Sequence, residues 1–377
     1  MTTVALERTR TPTLANWRSL IAWWALSRVV TLSAFLVLDA LGRHGRLAAS
    51  MYKTPLALLG AWDGVWYERV AQHGYLLIPG QQSNPAFFPL FPILMRELNL
   101  IFGISYTAAG AAVSNLALLV AVIAFYELSV LVIGDRERSR HAATLLAISP
   151  MSYVFSMAYP ESFALACTAL ALLAGIKQRW LTAAVLAALA VLARPEGVVL
   201  VVPLAAVAWG QRSRLDPAGR GRALAAVLAA PAAIISYPLY LLYALHNVNA
   251  WGEAQQRWGR AFNPLGPWRA LTGLHGIVTG QPVIGRDAPF VVVYGLLLWV
   301  ASRHGVGKPW ILGGALVLVL PIFSGSVVSE ARFGLLALPV YWGLASLMRG
   351  PRSQRAIELV CLVGLVGFVL AVPWLWP

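Results

Sequence analysis

Apolar residues dominate this chain in long runs, and polar positions gather between them. A first run covers 17–40, and a long polar and aromatic segment, 41–103, follows it. Apolar runs resume at 104–133, 142–158, 161–176, 180–193, 197–209, 223–245, 288–302, 309–323, 333–348 and 356–376. A helix needs about 20 apolar residues to cross a bilayer core. The pattern therefore predicts eleven candidate spans, the shorter ones accommodated by tilt or local thinning. The expected fold is an all-α polytopic membrane bundle of about 11 helices. It forms one domain over 1–377, with two polar excursions at 41–103 and 246–287.

The charges orient these runs. Alternation places the N-terminus, 134–141, 177–179, 210–222, 303–308 and 349–355 on one side, and these short segments hold most of the arginines and lysines. Positive-inside bias makes that side cytoplasmic and turns the long excursions outward. The acids sort independently: Asp63, Glu68, Glu161, Glu196, Glu253, Asp287 and Glu330 all map to the outer side. The expected setting is a multi-pass position in a membrane, with any carboxylate chemistry facing outward.

Composition closes off other classes. At 59% hydrophobic and 12% charged residues, the chain is no soluble domain. The formal charge of +14 follows from the positive-inside bias and does not call for nucleic acid. The two cysteines, Cys167 and Cys361, fall in apolar runs, which excludes a disulfide framework. Arg8, Arg10 and Arg18 precede the first run as in a signal peptide. Arg28 interrupts that run and no small-residue cleavage site follows, so it reads as an uncleaved helix. There is no GxGxxG, P-loop, HExxH or outward Asp-x-Asp, so no motif calls for a nucleotide, cofactor or metal.

Five stretches carry candidate chemistry. Ala61-Trp62-Asp63-Gly64-Val65-Trp66-Tyr67 sets a carboxylate among rings; on a helix, Trp66 and Tyr67 share the face of Asp63 while Glu68 points to solvent or an arginine. Asp63 is either a general base or a helix N-cap. In Tyr159-Pro160-Glu161-Ser162, Glu161 either complements a helix dipole or orients a ligand or an arginine. Arg194, in the charged break Arg194-Pro195-Glu196-Gly197, is a phosphate ligand or the partner of Glu196 or Glu161. In Trp251–Arg260, Arg257 and Arg260 share a helical face by spacing, either on an interfacial helix or on a lid that carries cations to an anionic headgroup. Arg332 opens a helix, where a cation is disfavoured. It needs an anion, Glu330 or a lipid phosphate. Arg28 reads as structural.

The Trp62-Asp63 to His73-Gly74-Tyr75 loop, the run Phe87-Phe88-Pro89-Leu90-Phe91-Pro92 and the Ser149-Pro150 to Ser162-Phe163 segment resemble the PIG-V-like mannosyltransferases of the GT-C class. Trp258-Gly259-Arg260 is similar to bacterial members. The resemblance spans the chain loosely, with its specific motifs mainly in the first half. It implies a GT-C bundle with short interfacial helices in the first outer loop. It also implies a polyprenyl-phosphate mannose donor, a glycolipid or glycan acceptor and inversion at the sugar. By this resemblance Asp63 is the base; with such a donor, one or more of the outer arginines Arg194, Arg257, Arg260 and Arg332 are the expected donor phosphate ligands. Trp62, Trp66, Tyr67, His73, Tyr159 and Glu161 then contact substrate. The common family form carries Ser where Pro160 stands here. A transporter or flippase of a lipid-linked sugar would use the same arginines and rings without breaking a bond.

Overall fold

The computed structural model describes residues 14–42, 56–277, 279–280 and 282–375; Arg8 and Arg10 lie outside them. Among the described residues there are α-helices and 3-10 turns and no strands. The helices are α1 (Leu14–Ala40), α2 (Asp63–His73), α3 (Leu90–Phe102), α4 (Tyr106–Ile133), α5 (Arg136–Ile148), α6 (Glu161–Ile176), α7 (Trp180–Ala193), α8 (Val201–Gln211), α9 (Pro217–Leu245), α10 (Ala250–Arg257), α11 (Gly266–Gly273), α12 (Pro282–Arg303), α13 (Lys308–Ile322), α14 (Glu330–Phe333), α15 (Leu338–Ala345) and α16 (Pro351–Ala371).

The apolar runs become helices, but fewer cross by themselves than their number suggested. Among the described residues, α1, α4, α9 and α16 have the length and hydropathy of a span. A fifth is reached if the turn Pro150–Ser156 and α6, which meet at 98°, count as one. The expected run 142–158 is divided between α5 and the 3-10 turn Ser152–Ser156, and 333–348 between α14, another 3-10 turn and α15. Proline stands beside both breaks, Pro150 just after the end of α5 and Pro339 in the first turn of α15.

Local chemistry sets the ends. Gly134 closes α4 with φ of 79°, a left-handed conformation that costs glycine nothing. Asp135 then caps α5, accepting from the backbone amides of Glu137 and Arg138 at 2.9 and 3.0 Å. Asp216 caps α9 in the same way, with Pro217 as the first helical residue. These acids among the basic turns are therefore caps.

Small residues let the helices approach. α4, α6 and α7 pack through alanine, glycine and serine, among them Gly110, Ser114, Ala121, Ala169, Ala187 and Ala190. A methyl added at Gly110 would come within 2.7 Å of Ala158. At Gly343 it would collide with the Leu297 carbonyl, so glycine is what allows α15 to press on α12. Without a hydrophobic drive between helices in lipid, such close backbone contact supplies the packing energy.

Arg28 is buried in α1 and its guanidinium donates to the carbonyls of Ser152 and Ala147 and to the Ser156 hydroxyl, at 3.2, 3.1 and 2.8 Å. It satisfies the broken backbone after α5 and fixes the bend into α6, the structural role its position implied. The described part of the first polar excursion contains the short helices α2 and α3. Between them the Asn84 side chain pins the chain that leaves α2, donating to the Gly74 carbonyl and accepting from the Leu76 amide.

Candidate active site

A cavity of about 510 Å³ opens where α2, the α7–α8 break, the chain after α10 and α14 converge. One strained residue sets up its floor. Trp62 has φ of 58°, unfavourable for a side chain of this size. Its indole donates to the Val372 carbonyl at 2.9 Å. The Tyr159 hydroxyl grips the same turn, donating to the Ala61 carbonyl and accepting from the Asp63 amide, both at 3.1 Å. Asp63 is thus the first residue of α2, and no side chain caps the helix. The N-cap alternative is excluded, and the Asp63 carboxylate turns to the cavity.

There it meets Arg332, whose Nη1 lies 2.7 Å from Asp63 Oδ2. The Arg332 Nε lies 3.5 Å from Glu161 Oε1. Glu161 is fully buried and also pairs with Arg194. Arg194 in turn donates twice to Glu196, at 3.0 and 2.9 Å. The charges alternate as Asp63, Arg332, Glu161, Arg194, Glu196. Asp63 retains 26% exposure at the end of this ladder. Burial works against the Arg332 cation, but Asp63 and Glu161 hold its pKa above the usual range. Glu330, the neighbour expected to compensate Arg332, does not do so; the compensating acids come from α2 and α6.

Arg260 stands apart. It donates to the Ser329 hydroxyl at 3.1 Å and forms no ion pair among the described residues. Its guanidinium lies 4.8 Å from the Phe333 ring centre, and those of Arg194 and Arg332 lie at 5.2 and 5.4 Å from the same ring. Burial and the Arg332 charge lower its pKa to about 10. An anion in the cavity would reverse that penalty.

Rings form the opposite wall. Trp66 stacks on Phe87 at 6.0 Å, and Trp258 meets both edge-on at 5.2 and 5.5 Å. The Trp258 indole donates to the Ser83 carbonyl at 3.1 Å, closing the second excursion over the first. Such faces suit the C–H surface of a sugar, and the rings also keep water out.

The α14 turn has its own support. Asp287 is fully buried, paired with Arg286 at 2.9 Å, and accepts from the Ser329 amide at 2.7 Å. Ser329 has φ of 71°, so this carboxylate stabilises a strained turn. Glu330 beside it is 1% exposed, and neither carboxyl oxygen has a hydrogen-bond partner among the described residues. Burial pushes its pKa up to about 9, opposed by Arg260 and aided by Asp287.

Of the residues singled out by sequence, Trp62, Asp63, Trp66, Tyr67, Arg194, Arg260 and Arg332 line the cavity. Tyr159 and Glu161 are buried behind it. His73 and Arg257 are exposed and do not line it. The shared face expected for Arg257 and Arg260 is broken because α10 ends at Arg257 and Gly259 takes φ of 68°. That turn sends Arg260 inward and leaves Arg257 outside. Glu68 accepts from Gln72 and Thr107 and pairs with no arginine among the described residues. The cavity also includes Gln82, Phe87, Gln255, Trp258 and Ser329. Phe87 and Trp258 carried a signal in their aromatic motifs; the two glutamines carried none.

A family model described as Mannosyltransferase (PIG-V) matches residues 24–216, just over half of the 377 residues. The matched region contains Asp63, Glu161, Arg194 and Glu196; Arg260 and Arg332 lie beyond it. The chain is 30% identical over 131 residues to GPI alpha-1,6-mannosyltransferase 2 of Homo sapiens, covering 31% of this chain and 26% of the relative. It is 25% identical over 124 residues to GPI mannosyltransferase 2 of Drosophila melanogaster, covering 29% and 26%. The matches thus span about a quarter of these relatives' length. Among solved structures, the archaeal oligosaccharyltransferase AglB from Archaeoglobus fulgidus, in complex with an inhibitory peptide and a dolichol-phosphate, gives a TM-score of 0.48 at 11% identity, covering 94% of this chain and 55% of that one.

Proposed function

Because the chain belongs to the mannosyltransferase (PIG-V) family, we propose that it transfers mannose from a polyprenyl-phosphate donor to a lipid-linked or glycan acceptor. The setting is a multi-pass position in the bacterial inner membrane, with the cavity facing outward. The observation that carries this reading is one cavity presenting the Asp63 carboxylate, an aromatic wall and Arg260, which forms no ion pair among the described residues.

The chemistry follows from those groups. The donor sugar lies against the aromatic wall, with its phosphate toward Arg260. Asp63 accepts the proton of an acceptor hydroxyl as that oxygen attacks the anomeric carbon. The bond from anomeric carbon to phosphate oxygen breaks, and its electron pair leaves on polyprenyl phosphate. The departing group gains one negative charge, and a guanidinium is most useful where charge develops. Attack opposite the leaving group inverts the anomeric centre. Arg194 is bound by two carboxylates and acts as a positioning residue. Arg332 begins on Asp63 and turns to the leaving phosphate as Asp63 takes the proton and becomes neutral.

Purified protein given a short-chain polyprenyl-phosphate mannose and a glycolipid extract should release free polyprenyl phosphate and form new mannosylated lipid in equal amounts. Movement of intact donor across a vesicle membrane, with no phosphate released, would replace this reading with that of a transporter.

A further inference from the structure

A second cavity, of about 330 Å³, lies beyond the Phe87–Phe88 wall and shares no lining residue with the first. The far turn of α2 with Tyr75, the start of α3, and α9 enclose it. The hydroxyls of Tyr75 and Tyr237 both donate to the Phe87 carbonyl, at 2.8 and 3.0 Å. Their rings pack at 5.7 Å, and Tyr240 meets Tyr75 at 5.9 Å. The result is a slot walled by three rings, with two of their hydroxyls already used.

Two polar groups remain at this slot. The Arg96 guanidinium and the Tyr240 hydroxyl make no hydrogen bond or ion pair among the described residues, and Arg96 is the one charged residue of the lining. Beside them the surface is apolar: Ile93 on α3 is 51% exposed, and Leu239 and Tyr243 on α9 are 56% and 82% exposed. α9 is one of the helices with the length and hydropathy of a span, so this surface meets lipid chains. An unpaired guanidinium at the mouth of an apolar slot between helices matches a phosphate attached to a hydrocarbon chain. Phosphate oxygens take the planar fork of arginine in pairs, and the rings accept the first methylenes.

We propose that this slot binds a membrane lipid with a phosphate headgroup, the phosphate at Arg96 and Tyr240 and the chain leaving between α3 and α9. The assignment is independent of the reaction proposed for the first cavity. It is tested on the full-length protein in phosphatidylcholine nanodiscs carrying a small fraction of photoactivatable phosphatidic acid, with cross-linked peptides mapped by mass spectrometry. Labelling should concentrate in 70–96 and 236–243. It should fall at least fivefold in Arg96→Ala, recover in part in Arg96→Lys, and stay unchanged in Arg257→Ala, which alters an exposed arginine elsewhere. Unlabelled phosphatidic acid should compete, and added phosphatidylcholine should not. Unchanged labelling in Arg96→Ala, or equal competition by phosphatidylcholine, would reduce the slot to a greasy surface and overturn the proposal. Competition by millimolar inorganic phosphate would overturn the lipid as ligand in favour of free phosphate.

Discussion

Arg332 holds the Asp63 carboxylate at 2.7 Å, across 269 positions of sequence. The contact joins the first polar excursion to the short helix α14 and anchors a ladder of alternating charges that ends on Glu196. Replacing Arg332 with Met leaves Glu161 paired with Arg194 and removes the one ion pair of Asp63 among the described residues. Breaking a buried pair from one side costs about 3–5 kcal/mol; since Asp63 is partly solvated, the lower end is expected. Thermal unfolding in detergent should show Arg332→Met well below wild type, with Arg332→Lys between them.

Arg260 and Arg257 are three positions apart, yet only Arg260 enters the cavity. A hydrogen bond to a charged group is worth about 1.5–3 kcal/mol, so Arg260→Ala should lower kcat/KM for donor by about 10- to 100-fold. Arg257→Ala should leave it unchanged. Steady-state kinetics over a range of donor concentrations checks both. An equal loss in the two variants would mean that a general positive field binds the donor and that the placement of Arg260 is irrelevant.

Glu330 lies in the turn between α13 and α15, and its pKa of about 9 is far above the usual 4.5. The folded protein therefore binds a proton that the unfolded chain releases between these values. Stability from this group is complete below about pH 4.5 and declines as pH rises toward 9. Glu330→Gln mimics the neutral form at every pH. Its melting temperature should match wild type near pH 5 and exceed it by several degrees near pH 8.5. Parallel curves for the two proteins across that range would show that Glu330 is ionised in the fold.

Much of this site was legible in sequence because its parts are local. The Trp-Asp motif marked Asp63, and the charged break after α7 marked Arg194 with its partners Glu196 and Glu161. The pairing of Arg332 was not legible: Glu330 is its neighbour in sequence, but residues two apart on a helix do not face each other, and α14 directs Arg332 toward α2 and α6. Helical periodicity misled at Arg257 because one residue, Gly259, ends the helix between the two arginines. Among the apolar runs, periodicity and length found helices but could not separate full spans from the short and bent segments around the cavity. That distinction depends on packing between distant helices, such as the grip of Arg28 on the Ala147 carbonyl at the end of α5 and the Ser152 carbonyl beyond it.

Asp63 as the base is the central claim, and single-turnover release of polyprenyl phosphate by Asp63→Asn tests it most directly. Asn keeps the shape and the contact with Arg332 but cannot take a proton at neutral pH. With donor binding measured in parallel, the variant should bind donor about as well as wild type and release phosphate about 10²–10⁴ times more slowly. Release at the wild-type rate would contradict the account and remove Asp63 from the chemical step.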